Sequence, residues 1–391
     1  MTRPSSRDLL RFFLWLGTTG FGGPIALVGY MEHEFVDRRR WVTRQELSDG
    51  LAFSQLAPGP LAAQLAIYLG WLCRGARGAT VAGIAFVVPS FAMVLVLAAL
   101  YQRLGGIAWL QGAFYGIGAA VIAIIARSAV KLARTTLGSD RLMWVLFVAS
   151  ALVTAWTESE VVWVFALCGV VSVMARTSSG LPGRWAATVG PVVGTAHVPA
   201  WLVAALEGAG GTSLVMIGAI FIYFASAGLF VFGSGLAIVP FLHGVVVQQH
   251  HWLTERQFLD AVAVALITPG PVVITVAFIG YLVAGASGAT AAAMGVFAPV
   301  YVITLVLAPR YERLKADRRV RAFVDGVTAA ATGAIAGAAV VLGRRAVVDL
   351  TTAMIASVTL MILLRTRKIP EPLVIATAGV AGVLATSFNG A

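Results

Sequence analysis

The polar side chains able to do chemistry in this chain sit beside Gly/Pro breaks in otherwise apolar sequence. Ser54, Gln55 and Gln64 flank Pro58-Gly59-Pro60, and Thr268 and Thr275 flank Pro269-Gly270-Pro271. Ser234 lies within Phe232-Gly233-Ser234-Gly235, which matches Phe21-Gly22-Gly23-Pro24. Proline has no N–H and cannot continue a helix, while glycine reaches conformations other residues avoid. Each break therefore frees main-chain groups from intrahelical bonding. The freed N–H groups and the positive end of a helix dipole make an anion site, and apolar surroundings strengthen it by lowering the dielectric. The candidate substrate-binding residues are thus the breaks themselves (Gly22, Gly23, Pro24, Pro58, Gly59, Pro60, Gly233, Gly235, Pro269, Gly270, Pro271) and the neutral donors Ser54, Gln55, Gln64, Ser234, Thr268 and Thr275. Small residues also serve close helix packing. Two different breaks, each repeated at one offset, favour the transport site.

That offset is 211 residues. It lays Trp41 on Trp252 and Asp49 on Asp260. After a one-residue slip it becomes 210, with Gly78-Ala79-Thr80 on Gly288-Ala289-Thr290, Pro89 on Pro299 and Gly116 on Gly326. Duplicated halves with interrupted hydrophobic segments in matching places are the sequence mark of a secondary transporter and its site. Each half reads as two broken segments (9–30 and 47–73; 214–242 and 258–284) followed by four ordinary ones. The fold expected is an all-α polytopic membrane protein of two inverted structural repeats, each with re-entrant broken helices followed by four transmembrane helices. The repeats are 1–176 and 213–391, joined by a membrane-crossing connection over 177–212.

Composition agrees. The 391 residues are 59% hydrophobic and 12% charged, against about 25% charged in soluble domains, and mean hydropathy is +0.89. Apolar stretches approach the roughly 20 residues a bilayer-spanning helix needs. A first apolar segment without a cleavage site reads as retained. Cys73 and Cys168 suggest neither a disulfide framework nor a metal site, and His243, His250 and His251 read as a loop cluster. No cofactor fingerprint or nucleophile-and-base set appears, so a membrane-embedded reductase is disfavoured and no enzyme or cofactor is expected.

The net charge of +11 fits positive-inside orientation and anionic lipid rather than nucleic acid. With a cytoplasmic N-terminus, re-entrant breaks and a crossing connection, only Arg103, Arg256, Arg344 and Arg345 of the 28 Lys and Arg fall outside. The last two have no explanation in sequence. Loop 31–46 carries four Arg where its partner 242–256 carries one, as an upside-down copy requires. Arg38, Arg39 and Arg40 are candidates for anion recruitment, or equally for a cytoplasmic anchor. Asp49 and Asp260 are candidate coupling groups, although a carboxylate near a half-helix start is the plainer reading. Asp325 has no acidic counterpart in the other half.

Phe21-Gly-Gly-Pro24, Glu34-Phe-Val-Asp-Arg-Arg-Arg-Trp41 and Gln55-Leu-Ala-Pro-Gly-Pro60, with their second-half echoes, resemble the chromate ion transporter family in its long, two-domain form. The resemblance covers essentially the whole chain. It implies a multi-pass protein of the bacterial inner membrane that exports chromate, with sulfate as structural analogue, using the membrane potential or the proton gradient. It implicates Gly22 to Pro24, Arg38 to Arg40 and both Pro-Gly-Pro runs. Many members carry a histidine three residues beyond the first break, where this chain has Leu27, so any role of that histidine does not transfer. A passive anion channel, or a carrier of another tetrahedral oxyanion such as sulfate, stands as the alternative. The expected partners are a small inorganic oxyanion and the lipid bilayer, with a homodimer as an open assembly state and no nucleic acid.

Overall fold

The computed structural model describes residues 3–21, 23–104, 107–157, 162–176, 212–229, 238–311, 317–365, 369 and 371–389. Gly22, Gly233, Ser234, Gly235 and the connection 177–211 lie outside them. The regular elements among the described residues are all helical. The first half holds α1 (Ser6–Thr19), α2 (Gly23–Glu32) running into a π-turn (His33–Arg38), α3 (Arg44–Leu56), α4 (Leu61–Leu104), α5 (Ala108–Thr136), α6 (Arg141–Thr157) and α7 (Val162–Arg176). The second holds α8 (Thr212–Leu229), α9 (Ile238–His243) with a π-turn (Gly244–Gln249), α10 (Glu255–Ile267), α11 (Thr275–Leu307), α12 (Arg318–Ala346), α13 (Leu350–Arg365) and α14 (Glu371–Asn389).

The sequence repeat recurs in the backbone. The π-turns start at equivalent residues, and each closes on a non-glycine residue with positive φ, Arg40 at 53° and His251 at 49°. The chain then re-enters a helix through the same device. Thr43 and Glu46 form a reciprocal capping box on α3, and Thr254 and Gln257 form its counterpart on α10. Such a box satisfies the backbone N–H groups a helix start leaves open.

Helices α4 and α11 each double back. Non-helical backbone occurs at Arg74 and Gly75 in one and at Ala284 and Gly285 in the other, with nearly identical angles. Gly70 meets Gly78 and Gly280 meets Gly288, backbone against backbone. Residues eight apart in a straight helix would stand about 12 Å apart, so the chain has reversed. The second arms, 75–104 and 285–307, extend about 45 and 34 Å at 1.5 Å per residue, enough for a hydrocarbon layer of about 30 Å. Helices α5 and α12 are also long and apolar enough to cross.

The last helices of each copy interlock with the other. Gly116 of α5 packs on Ala378 and Gly382 of α14, while its equivalent Gly326 of α12 packs on Cys168 and Ser172 of α7. The main core gathers around α10 and α11, where Phe258, Phe278 and Ile279 are fully buried.

Candidate functional site

Both broken segments of the first half fold back on themselves at their breaks. Across the first break, Trp15 lies against Tyr30, and Phe12 and Phe13 lie against Phe35. Across the second, Phe53 of α3 stacks on Tyr68 of α4, with ring centroids 5.2 Å apart. Gly50 faces the same ring. The open ends of these hairpins meet. Arg3 pairs with Glu46 at 3.6 Å and donates to the Leu72 carbonyl, and Arg74 Nε donates to the Pro4 carbonyl at 2.9 Å. The ends of α1, α3 and the first arm of α4 therefore share one side, and the Gly/Pro tips point away from it.

The halves also touch at the tips. The Gly270 N–H donates to the Gly20 carbonyl at 2.9 Å, joining the second Pro-Gly-Pro run to the first-half break. Ser90 donates from Oγ to the Gly17 carbonyl at 3.2 Å and lies against Gly270. Gly59 is placed in the equivalent way against Val300, which matches Ser90 at the offset of 210. Gly59 and Gly270 have φ of +136° and +98°, a region that disfavours any side chain. Added to Gly59, a Cβ would stand 2.9 Å from Val300 and from the Gln64 amide. Close approach and backbone shape both demand glycine there.

The breaks bury Gly59, Pro60, Gln64, Thr268, Pro269, Gly270, Pro271 and Thr275, and leave Pro58 partly buried. Gln64, Ser54 and Thr275 are fully buried. Gln64 donates from Nε2 to the Pro58 carbonyl at 2.6 Å and leaves its Oε1 buried without a partner. An orphaned buried acceptor asks for an explanation, and here it sits beside unwound main chain. The hydroxyls are committed locally. Ser54, Thr268 and Thr275 donate to the carbonyls of Gly50, Val264 and Val272, so each must rotate before it can serve an anion. Gln55 is exposed on α3. Gly23 and Pro24 open α2 and are partly buried.

The arginine run is largely spoken for. Arg38 and Arg39 hold the two oxygens of buried Glu34 at 3.0 and 3.1 Å, and Arg39 also lies over the Trp41 ring. Arg40 is exposed at the end of the turn. The repeated aspartates differ sharply: Asp49 is half-buried and bonded by Gln45, whereas Asp260 is 3% exposed and receives the Tyr101 hydroxyl at 2.7 Å. Sequence reasoning missed Tyr101, which lies 159 positions away. It also missed Glu255, which answers the puzzle of Arg345: Glu255 holds Arg345 on one side and buried His243 on the other. Asp325 likewise has a partner, Arg176, which also bonds Asp140.

Interlocked apolar helices, with broken main chain buried at the meeting of two copies, define a multi-pass membrane transporter. The chromate transporter family model matches residues 7–173 and 218–383, and the chain belongs to that family. It is 51% identical to the chromate transport protein of Cupriavidus metallidurans over 97% of this chain and 93% of that one. It is 48% identical to a probable chromate transport protein of Synechococcus elongatus over 97% and 95%, and 30% identical to a chromate transport protein of Pseudomonas aeruginosa over 86% and 81%. No solved structure matches the chain significantly.

Proposed function

We propose that this chain exports chromate, a divalent tetrahedral oxyanion, across a bacterial inner membrane through a site built where the Gly/Pro tips of the two halves meet. The Gly270-to-Gly20 hydrogen bond carries this reading. It joins breaks from both copies, so the site would lie between two elements able to rock against each other, as in repeat-built carriers. Unwound backbone at membrane depth is tolerated where protein or a water-filled cavity satisfies it, and Gln64 shows that polar capacity remains unfilled there.

The halves are two inverted repeats with re-entrant hairpins, and the N-terminus is cytoplasmic. Support comes from the shared side of Arg3, Glu46 and Arg74 together with the complementary Arg content of equivalent loops. An inside-negative potential then favours outward movement of a dianion by about 4.6 kcal/mol per 100 mV, twice the single-charge value. The relatives' names point to the same substrate.

Counterflow in proteoliposomes loaded in turn with chromate, sulfate, molybdate or phosphate tests the reading. Internal chromate should accelerate uptake of labelled chromate, saturably, and the other anions should rank below it. Flux that rises linearly with concentration and shows no counterflow would mean a channel.

A further inference from the structure

We propose that a cavity beside the second Pro-Gly-Pro hairpin is a proton site, in which Asp260 takes up the proton that lets the tip site hold a dianion. The idea rests on the oxyanion reading and adds the ion whose binding is linked to it. The cavity has a volume of about 140 Å³ and is lined by Tyr101, Leu110, Gln111, Phe114, Arg256 and Asp260. Tyr101 reaches Asp260 from α4 and is held edge-on by Phe114 of α5 and Phe278 of α11. Of the lining residues, Asp260 and Arg256 are charged and Tyr101 is the other titratable group. Arg256, on the same helix, is exposed and donates its bond to the Gln111 carbonyl at 2.9 Å. The carboxylate is thus buried and bonded by one neutral donor, while Arg256 faces the same cavity and spends its bond on the Gln111 carbonyl. A buried charge without a bonded counter-charge neutralises itself by binding a proton.

The duplication supplies a control. Asp49 occupies the equivalent place only half-buried, so the scaffold does not require a carboxylate to be fully buried there. Intramembrane carboxylates are expensive and mark ion or proton pathways.

Helix α10 links this group to the tips. Gly270 lies ten residues beyond Asp260, about 13 Å along the helix and the bend that follows. At an effective dielectric of about 20, an ionised Asp260 would weaken a dianion at the tips roughly seventyfold. By reciprocity the dianion draws a proton onto Asp260 to the same degree. Proton and dianion therefore favour the same bound state, and each strengthens the binding of the other.

Calorimetric titration of the purified full-length protein with sulfate tests this, because sulfate stays a dianion across the range in which chromate itself titrates. Two buffers of different ionisation enthalpy report proton uptake. Wild-type affinity should strengthen as pH falls, by up to about seventyfold, with a proton taken up per sulfate bound. Asp260→Asn should bind tightly at every pH with no proton uptake, while Asp49→Asn keeps the wild-type profile. Tyr101→Phe should keep the amplitude and move the midpoint to higher pH by about one unit, because the lost donor favoured the carboxylate. Flat wild-type affinity without proton uptake would overturn the proton site and leave the oxyanion site standing. So would unchanged proton uptake in Asp260→Asn, or an unmoved midpoint in Tyr101→Phe, which also covers an Asn variant that fails to fold. Failure of the wild type to bind sulfate or chromate at any pH, with no counterflow, would remove the tip site itself.

Discussion

Gly59 and Gly270 concentrate the requirements of the proposed site into two residues. Each holds a positive φ and each packs against the opposite half. A Cβ there adds backbone strain of about 1–3 kcal/mol, and the neighbouring atoms leave it no room. Gly59→Ala and Gly270→Ala should cut chromate uptake into inverted vesicles by tenfold or more, corresponding to about 1.4 kcal/mol, while the protein still inserts. Wild-type uptake in both variants would remove the tips from the pathway. The arginine run calls for a different experiment. Since Glu34 holds Arg38 and Arg39, Arg40 is the candidate for long-range attraction. Arg40→Ala should slow initial uptake at low salt, with the gap closing above about 0.1 M, where the Debye length falls to about 10 Å. A gap that persists at high salt would indicate a structural role. Part of this was legible in sequence, since Glu34 and Arg38 stand four apart within a helical turn, a spacing that brings side chains together. The partners of Asp260 and Arg345 were not, because Tyr101 and Glu255 reach them only through tertiary packing.

At the level of elements, the broken segments were readable because Gly and Pro interrupt long apolar runs. The reversal between 73 and 79 was readable from the polar Arg74 to Gly78 stretch. Its tightness was not. Gly70 and Gly78 look like ordinary small residues until the arms lie side by side. The reversal itself rests on Gly75 and Gly285, at φ of +60° and +62° with ψ near −150°, a combination only glycine adopts readily. Gly75→Ala and Gly285→Ala should each destabilise the fold by about 1–3 kcal/mol, seen as a lower midpoint in a thermal size-exclusion assay. The loss should match between the two sites, because the geometry matches. The capping boxes make a milder pair: Thr43→Ala and Thr254→Ala should each cost about 1 kcal/mol. A much larger loss at one of them would show that the equivalent turns carry unequal loads.

For the whole molecule, the two copies were legible as a repeat, but their interlocking was not. An offset in sequence says which residues are equivalent and nothing about which half they pack against. In the structure α5 leans on α13 and α14, and α12 on α6 and α7, so neither half completes its core alone. Such exchange constrains orientation. Equivalent loops of two copies related by a two-fold axis lying in the membrane plane must open on opposite faces, whereas copies related by an axis along the membrane normal would present them on the same face. Cysteine labelling decides between these. Cys73 and Cys168 are buried and should stay silent to an impermeant maleimide. Arg38 and Gln249 are equivalent, exposed and on matching turns. Arg38→Cys should react only from the cytoplasmic face and Gln249→Cys only from the outside. Reaction of both from one face would end the inverted-repeat reading, and with it the argument that hairpins from opposite faces meet tip to tip around the anion.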